Sequence, residues 1–221
     1  MKLLIKALFT LILGIVCMGA MLFLPAGGCH YTNGWLFLGL LFVPMAIMGI
    51  VLFFKSPDLL KKRLNAKEKE AAQKGVIAFS ALMFPVGFLL SAFDFRYSWS
   101  SVPMPLVIVS SVLFLIGYAM YGEVMRENAY LSRTIEVQEG QKVIDTGLYG
   151  FVRHPMYLAT FLMFLPMPLI LGSFWGLIPF ALYPVLIVIR VLNEEKVLAR
   201  ELDGYTDYMK KVKYRLIPFI W

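Results

Sequence analysis

Residues 147–157, Gly-Leu-Tyr-Gly-Phe-Val-Arg-His-Pro-Met-Tyr, set Tyr149, Arg153, His154 and Tyr157 against the start of a long apolar run. Further on, Arg190, Glu194 and Glu195 stand at the end of the next apolar run. Ionisable groups where water meets hydrocarbon are costly, and a functional site is the default reading of such a cluster. Arg190 and Glu194 are four residues apart and share one helix face, while Glu195 points about 100° away. Pro155 suits the first turn of a helix. The start of that helix, His154 to Tyr157, exposes N–H groups that favour an anion, and Arg153 lies beside it. Arg190 suits bidentate grip of a carboxylate. Glu194 or Glu195 suits an ammonium. Together these groups mark a polar site facing the cytosol and do not by themselves name its ligand; methyl transfer from a sulfonium is one chemistry they could serve, since it needs positioning and exclusion of water but no metal. A carboxylate acceptor is already ionised and needs no base. An amine or thiol acceptor must lose a proton, and His154, Glu195 and the tyrosines are the few candidates. That scarcity leans toward a carboxylate. The plainer reading of Arg190 is an arginine snorkelling at a helix end, and of His154 a helix cap. The first weakens because Arg153 and His154 fall on the same side of the membrane; the second stays open.

The elements that must position these groups are membrane helices. The chain has 221 residues, 60% hydrophobic and 16% charged, with a mean hydropathy of +0.75. A soluble domain carries about a quarter charged residues, so this composition marks an integral membrane protein. A bilayer core of ~30 Å takes about 20 helical residues. Six runs qualify: residues 3–24, 35–54, 75–93, 102–121, 155–171 and 174–192. The first is too long for a signal-peptide core and reads as an uncleaved membrane helix. Runs five and six carry Pro166, Pro168, Pro179 and Pro184. Proline kinks a helix, and membranes tolerate it where a cavity or neighbours satisfy the freed carbonyls. These two runs therefore predict a bent hairpin over a cavity, one that need not span fully. The alternative is a pair of kinked helices without a pocket.

Charge sets the orientation. The net charge is +7. Lys and Arg concentrate in residues 55–74, 122–153 and the stretch after 195, which predicts that these lie in the cytosol together with both termini and the site. Residues 25–34 carry no Lys or Arg and belong outside, as do 94–101 and 172–173. The basic residues are scattered between apolar runs, so nucleic-acid binding is set aside. No G-x-G-x-x-G or P-loop pattern occurs. Cys17 and Cys29 form no C-x-x-C pair and support neither zinc nor dithiol chemistry. His30, in an outer loop, reads as structural.

The stretch 133–150 is too polar to span. Residues 134–138 alternate as a short strand would, Glu139 and Gly140 offer a turn, and Val143 and Ile144 suit a second extended piece. A loop of this length, leading into Arg153, makes a good cofactor wall. Beyond Glu194 the helix continues to Leu202 and stops at Asp203 and Gly204. Tyr205 and Tyr208 then space helically at the membrane interface, and residues 216–221 dip back onto protein or lipid.

These motifs taken together, Thr-Gly-Leu-Tyr at 146–149, Arg-His-Pro-Met-Tyr at 153–157, Arg190 with Glu194 and Glu195, Gly204, Tyr205, Tyr208, Val212 and Leu-Ile-Pro-Phe at 216–219, resemble the isoprenylcysteine carboxyl methyltransferase family. The likeness covers roughly residues 134–221. It implies an all-α, polytopic transmembrane bundle with a cytosolic C-terminal cofactor pocket. Residues 1–121 would be the N-terminal membrane helices and 122–221 the catalytic region. The cofactor implied is S-adenosylmethionine, lined by Gln141, Lys142, Val143, Ile144, Tyr149, His154, Pro155, Met156, Tyr157 and Glu194, with Arg153 and Glu195 added from their charge. Arg190, with Glu194, would be catalytic and hold the carboxylate of a lipophilic acceptor admitted from the bilayer. Relatives of such a fold also methylate phospholipid amines and small thiols, so these remain alternatives. A non-catalytic transporter is a third reading, disfavoured because no inverted repeat is present.

Overall fold

The computed structural model describes residues 2–65, 71–131 and 137–221. Every regular element among the described residues is helical. The order is α1 (Lys2–Ala26), α2 (Thr32–Lys55), α3 (Pro57–Asn65), α4 (Ala71–Tyr97) and α5 (Met104–Glu127), then a 3-10 turn (Gly147–Gly150), α6 (Pro155–Phe164), α7 (Met167–Ile170), α8 (Leu177–Phe180), α9 (Tyr183–Glu201) and α10 (Tyr205–Lys211). Among the described residues five stretches are long and apolar enough to cross a membrane: α1, α2, Ala78–Tyr97 of α4, α5, and Leu177–Glu201. They expose Phe9, Ile12, Val16, Ile47, Ile50 and Val112. An apolar helix surface that no neighbour covers is a surface made for lipid.

The fifth apolar run is the exception expected from its prolines. It breaks between α6 and α7, with Pro166 in the N-cap position of α7. Pro155–Ile170 is shorter than a full span. The carbonyls at the end of α7 find partners from α2 and the residue before it. Tyr31 Oη donates to Leu171 O at 2.6 Å, and Asn33 Nδ2 to Ile170 O at 2.9 Å. This is the condition under which broken helices survive in a membrane. At the same end of the bundle Asp94 is fully buried. It accepts from Ser100 N at 2.6 Å, Ser100 Oγ at 2.5 Å and Ser173 Oγ at 2.5 Å, locking the turn after α7 onto the end of α4.

The core that carries α6 is aromatic. Phe37, Phe88, Phe114 and Phe180 are buried in one cluster with Met163 and Ile170. Helices α5 and α6 pack closely because position 117 is glycine. A Cβ there would lie 2.7 Å from Met163 Cγ and 2.8 Å from the Ala159 carbonyl oxygen. Small residues buy such backbone approach in membrane bundles. α5 runs unbroken through residue 121 and joins the N-terminal helices to the C-terminal half as one continuous element.

Two details differ from the sequence expectations. The stretch after α2, expected as a charged loop, contains α3, whose Leu59 and Leu60 bury against Val124, Met125 and Tyr149. The alternating pattern at 134–138 falls largely outside the described residues. Val137 and Gln138, and also Val143 and Ile144, carry no regular structure, while Glu139 and Gly140 form the expected turn. Cys17 and Cys29 are exposed, free thiols.

Candidate active site

Gly147 sets the first wall. Its φ is +49°, and a Cβ there would come within 1.8 Å of Glu127 Oε1. The glycine lets the chain turn tightly over the end of α5, where Leu148 N donates to Glu127 Oε2 at 3.1 Å. The turn buries Tyr149. Its hydroxyl accepts from Asn128 Nδ2 at 2.9 Å, and its carbonyl accepts from Tyr208 Oη at 2.7 Å. Burial pushes the hydroxyls of Tyr149 and Tyr208 well above the ordinary tyrosine range, so both stay protonated.

The start of α6 is held by the segment after α10. Arg153 N and His154 N donate to the carbonyls of Tyr214 and Arg215, each at 2.9 Å. The side chains converge on Glu195 from α9. Arg153 Nε reaches Oε1 at 2.7 Å, His154 Nε2 lies 3.3 Å from the same oxygen, and Arg215 Nε reaches Oε2 at 2.8 Å. Arg153 Nη1 also donates to the carbonyls of Val212 and Lys213. A buried carboxylate persists only when paired and hydrogen-bonded in this way.

Glu194 takes a different course. Tyr157 Oη donates to Glu194 Oε2 at 2.5 Å and accepts from Arg190 Nε at 2.8 Å. One hydroxyl thus links the cation and the anion, whose side chains rise from consecutive turns of α9. The helix spacing brings Arg190 and Glu194 onto one face, and Tyr157 of α6 fits between them.

An open cleft lies against this arrangement. Its walls include Gln141, Lys142, Val143, Ile144 and Tyr149, then Arg153, His154, Pro155, Met156 and Tyr157, and then Arg190 and Glu194. The structure therefore gathers around one space all but one of the residues singled out from the sequence. Glu195 is the exception. It is not part of the wall, because its carboxylate is taken up by Arg153, His154 and Arg215 behind it. Sequence reasoning did not include Asn128, Tyr130 and Leu131 at the end of α5, nor Leu198, Leu202, Tyr205 and Tyr208. Leu198 and Leu202 continue the Arg190–Glu194 face at steps of four, a signal present in the sequence. The tyrosines come in because Gly204, at φ +80°, turns α10 back over the cleft. Outside, Lys211 Nζ meets Asp145 Oδ2 at 2.6 Å, ties α10 to the loop, and lowers the Asp145 carboxyl below its usual range. Among the described residues no group of three or more His, Cys, Asp or Glu side chains could hold a metal ion.

The family comparison falls largely on this part of the chain. Residues 97–203 match the family model described as phospholipid methyltransferase. The matched stretch, just under half of the chain, is thus similar to membrane methyltransferases of that family, and the match does not single out the isoprenylcysteine carboxyl branch. Similar curated proteins include Delta(14)-sterol reductase TM7SF2 of Mus musculus, 26% identical over 152 residues, which are 62% of this chain and 36% of that protein. Delta(14)-sterol reductase of Arabidopsis thaliana is 20% identical over 153 residues, 63% of this chain and 41% of that protein. The aligned stretch thus spans less than half the length of either relative.

Proposed function

We propose that this chain is an S-adenosylmethionine-dependent membrane methyltransferase that esterifies the carboxylate of a lipophilic acceptor. The observation that carries the reading is the Arg190–Tyr157–Glu194 chain on the cleft wall. It offers an anion for the cofactor's ammonium and a cation for an acceptor carboxylate, at fixed separation. The cleft's aromatic and aliphatic walls, with a few polar groups, suit a nucleoside bearing an amino-acid tail. When bound, S-adenosylmethionine supplies an electrophilic methyl group whose transfer forms a carbon–oxygen bond as the carbon–sulfur bond breaks and its electron pair passes to sulfur.

The chain's own residues position and exclude. Tyr157 fixes Glu194 by donating to it and Arg190 by accepting from it, so neither side chain searches for its geometry at the moment of reaction. Arg190 meets the acceptor carboxylate, which needs no deprotonation. α10 and the loop at 141–144 flank the cleft, so that a bound cofactor between them would displace its water. The positive residues of the loops support a cytosolic location for this end of the bundle and for both described termini.

The test uses labelled cofactor with purified protein in lipid. Glu194→Ala is expected to abolish cofactor binding, while Arg190→Ala keeps binding and loses turnover by at least about a hundredfold. The opposite pattern overturns the assignment of the two roles. A base-labile methylated lipid product supports the carboxylate.

A second reading is favoured by the family match itself, whose description names phospholipids. It keeps the cofactor and makes the acceptor a lipid amine, which gives a base-stable product. The sterol reductase relatives favour a third, reduction of a sterol, which requires a hydride donor in the same cleft. Saturable binding of a reduced nicotinamide nucleotide, with none of S-adenosylmethionine, would establish it in place of methyl transfer.

A further inference from the structure

Tyr205 opens α10 and is 4% exposed. Its ring packs 5.7 Å from that of Tyr208. The two hydroxyls differ in one respect. Tyr208 Oη donates to the Tyr149 carbonyl, whereas Tyr205 Oη is buried and, among the described residues, has no hydrogen-bond partner. Buried hydroxyls are nearly always paired, because leaving one unpaired forfeits its hydration without return. Tyr205 also lines the cleft. An orphaned donor on the wall of a binding site is explained by a ligand that brings the missing partner.

The surroundings say what kind of partner. Burial above all, then the nearby carboxylates of Glu195 and Glu194, raise the Tyr205 hydroxyl well above the ordinary tyrosine range, so it keeps its proton and acts as a donor. The same carboxylates disfavour a further negative charge beside it. Leu202 and Val212, with Leu198 and Val143, make the adjoining surface apolar. A neutral, flat, partly apolar group bearing lone pairs fits there.

We propose that the Tyr205 hydroxyl is a ligand-binding group of this cleft, donating to an uncharged acceptor on the nucleoside half of the cofactor, a ribose oxygen or an adenine ring nitrogen. This rests on the reading of the cleft as an S-adenosylmethionine site. The amino-acid half is then left to Glu194.

Tyr205→Phe removes only the oxygen. Calorimetric titration of the protein in lipid nanodiscs would use two probes: S-adenosylhomocysteine, and 5′-methylthioadenosine, which keeps the nucleoside and lacks the amino-acid end. The variant is expected to weaken both by about three- to tenfold. Its ligand-free melting temperature should be unchanged or higher, since no native hydrogen bond is lost. Tyr208→Phe, which breaks the bond to the Tyr149 carbonyl, should melt lower. Unchanged affinity for both probes, weakening confined to S-adenosylhomocysteine, or a lower ligand-free melting temperature for Tyr205→Phe overturns this proposal alone. A wild-type protein that binds neither probe overturns it together with the cofactor reading.

Discussion

Two adjacent glutamates of α9 serve opposite ends. Glu194 faces the cleft and accepts one hydroxyl, whereas Glu195 turns away and gathers two arginines and a histidine. The side chain of Glu195 is 8% exposed. Removing the charge of a buried ion cluster leaves its partners uncompensated, at a cost of about 3–5 kcal/mol. Glu195→Gln is therefore expected to lower stability by about that much in chemical or thermal unfolding, whereas Arg215→Ala, whose side chain is 33% exposed, should cost less. Equal losses from both would remove the case for Glu195 as the hub. Helical spacing made the Arg190–Glu194 face legible in the sequence, and also showed that Glu195 leaves it. It did not show what Glu195 meets. Its partners Arg153, His154 and Arg215 come from two other segments, and spacing along one helix carries no information about them.

At the scale of elements, hydropathy located the long helices because lipid imposes one length and one composition on them. The proline positions located the break in the fifth run for an equally local reason. α3 was not legible. Its lysines dominate the stretch, and Leu59 and Leu60 form a face only once α5 and the 3-10 turn are there to receive it. α10 was legible as a helix but not as a cover, because the direction it takes depends on the left-handed conformation of Gly204. The 3-10 turn depends on a glycine in the same way. Gly147→Ala would place a methyl group against Glu127 in a backbone region that alanine disfavours. A loss of about 1–3 kcal/mol is expected, with cofactor affinity reduced through Tyr149. Normal melting and normal binding in this variant would show that the turn relaxes freely.

Over the whole molecule, the cleft lies at one end of the bundle and the Asp94 cluster at the other. The broken helices α6 to α9 run between them. Asp94 supplies both carboxylate oxygens to three donors. Asp94→Asn exchanges an acceptor for a donor that faces other donors. Stability should fall by about 1–3 kcal/mol, measured by unfolding in detergent. Since the cleft residues are untouched, cofactor affinity at low temperature should stay near wild type, and a selective loss of binding would reveal coupling between the two ends. This arrangement was the least legible part of the sequence. Asp94, Ser100 and Ser173 are unremarkable as a set until α7 and α8 fold back between α4 and α5.

The attachment of the segment around residue 215 to the head of α6 has a consequence in time. A ribosome delivers the long helices first, and each can enter the bilayer on its own apolar length. The backbone amides of Arg153 and His154, and one oxygen of Glu195, must wait for residues 214 and 215 to emerge. Until then the protein is inserted but its chamber is unmade. The contacts that close the chamber are therefore among the last to form, once the helices they join are in place.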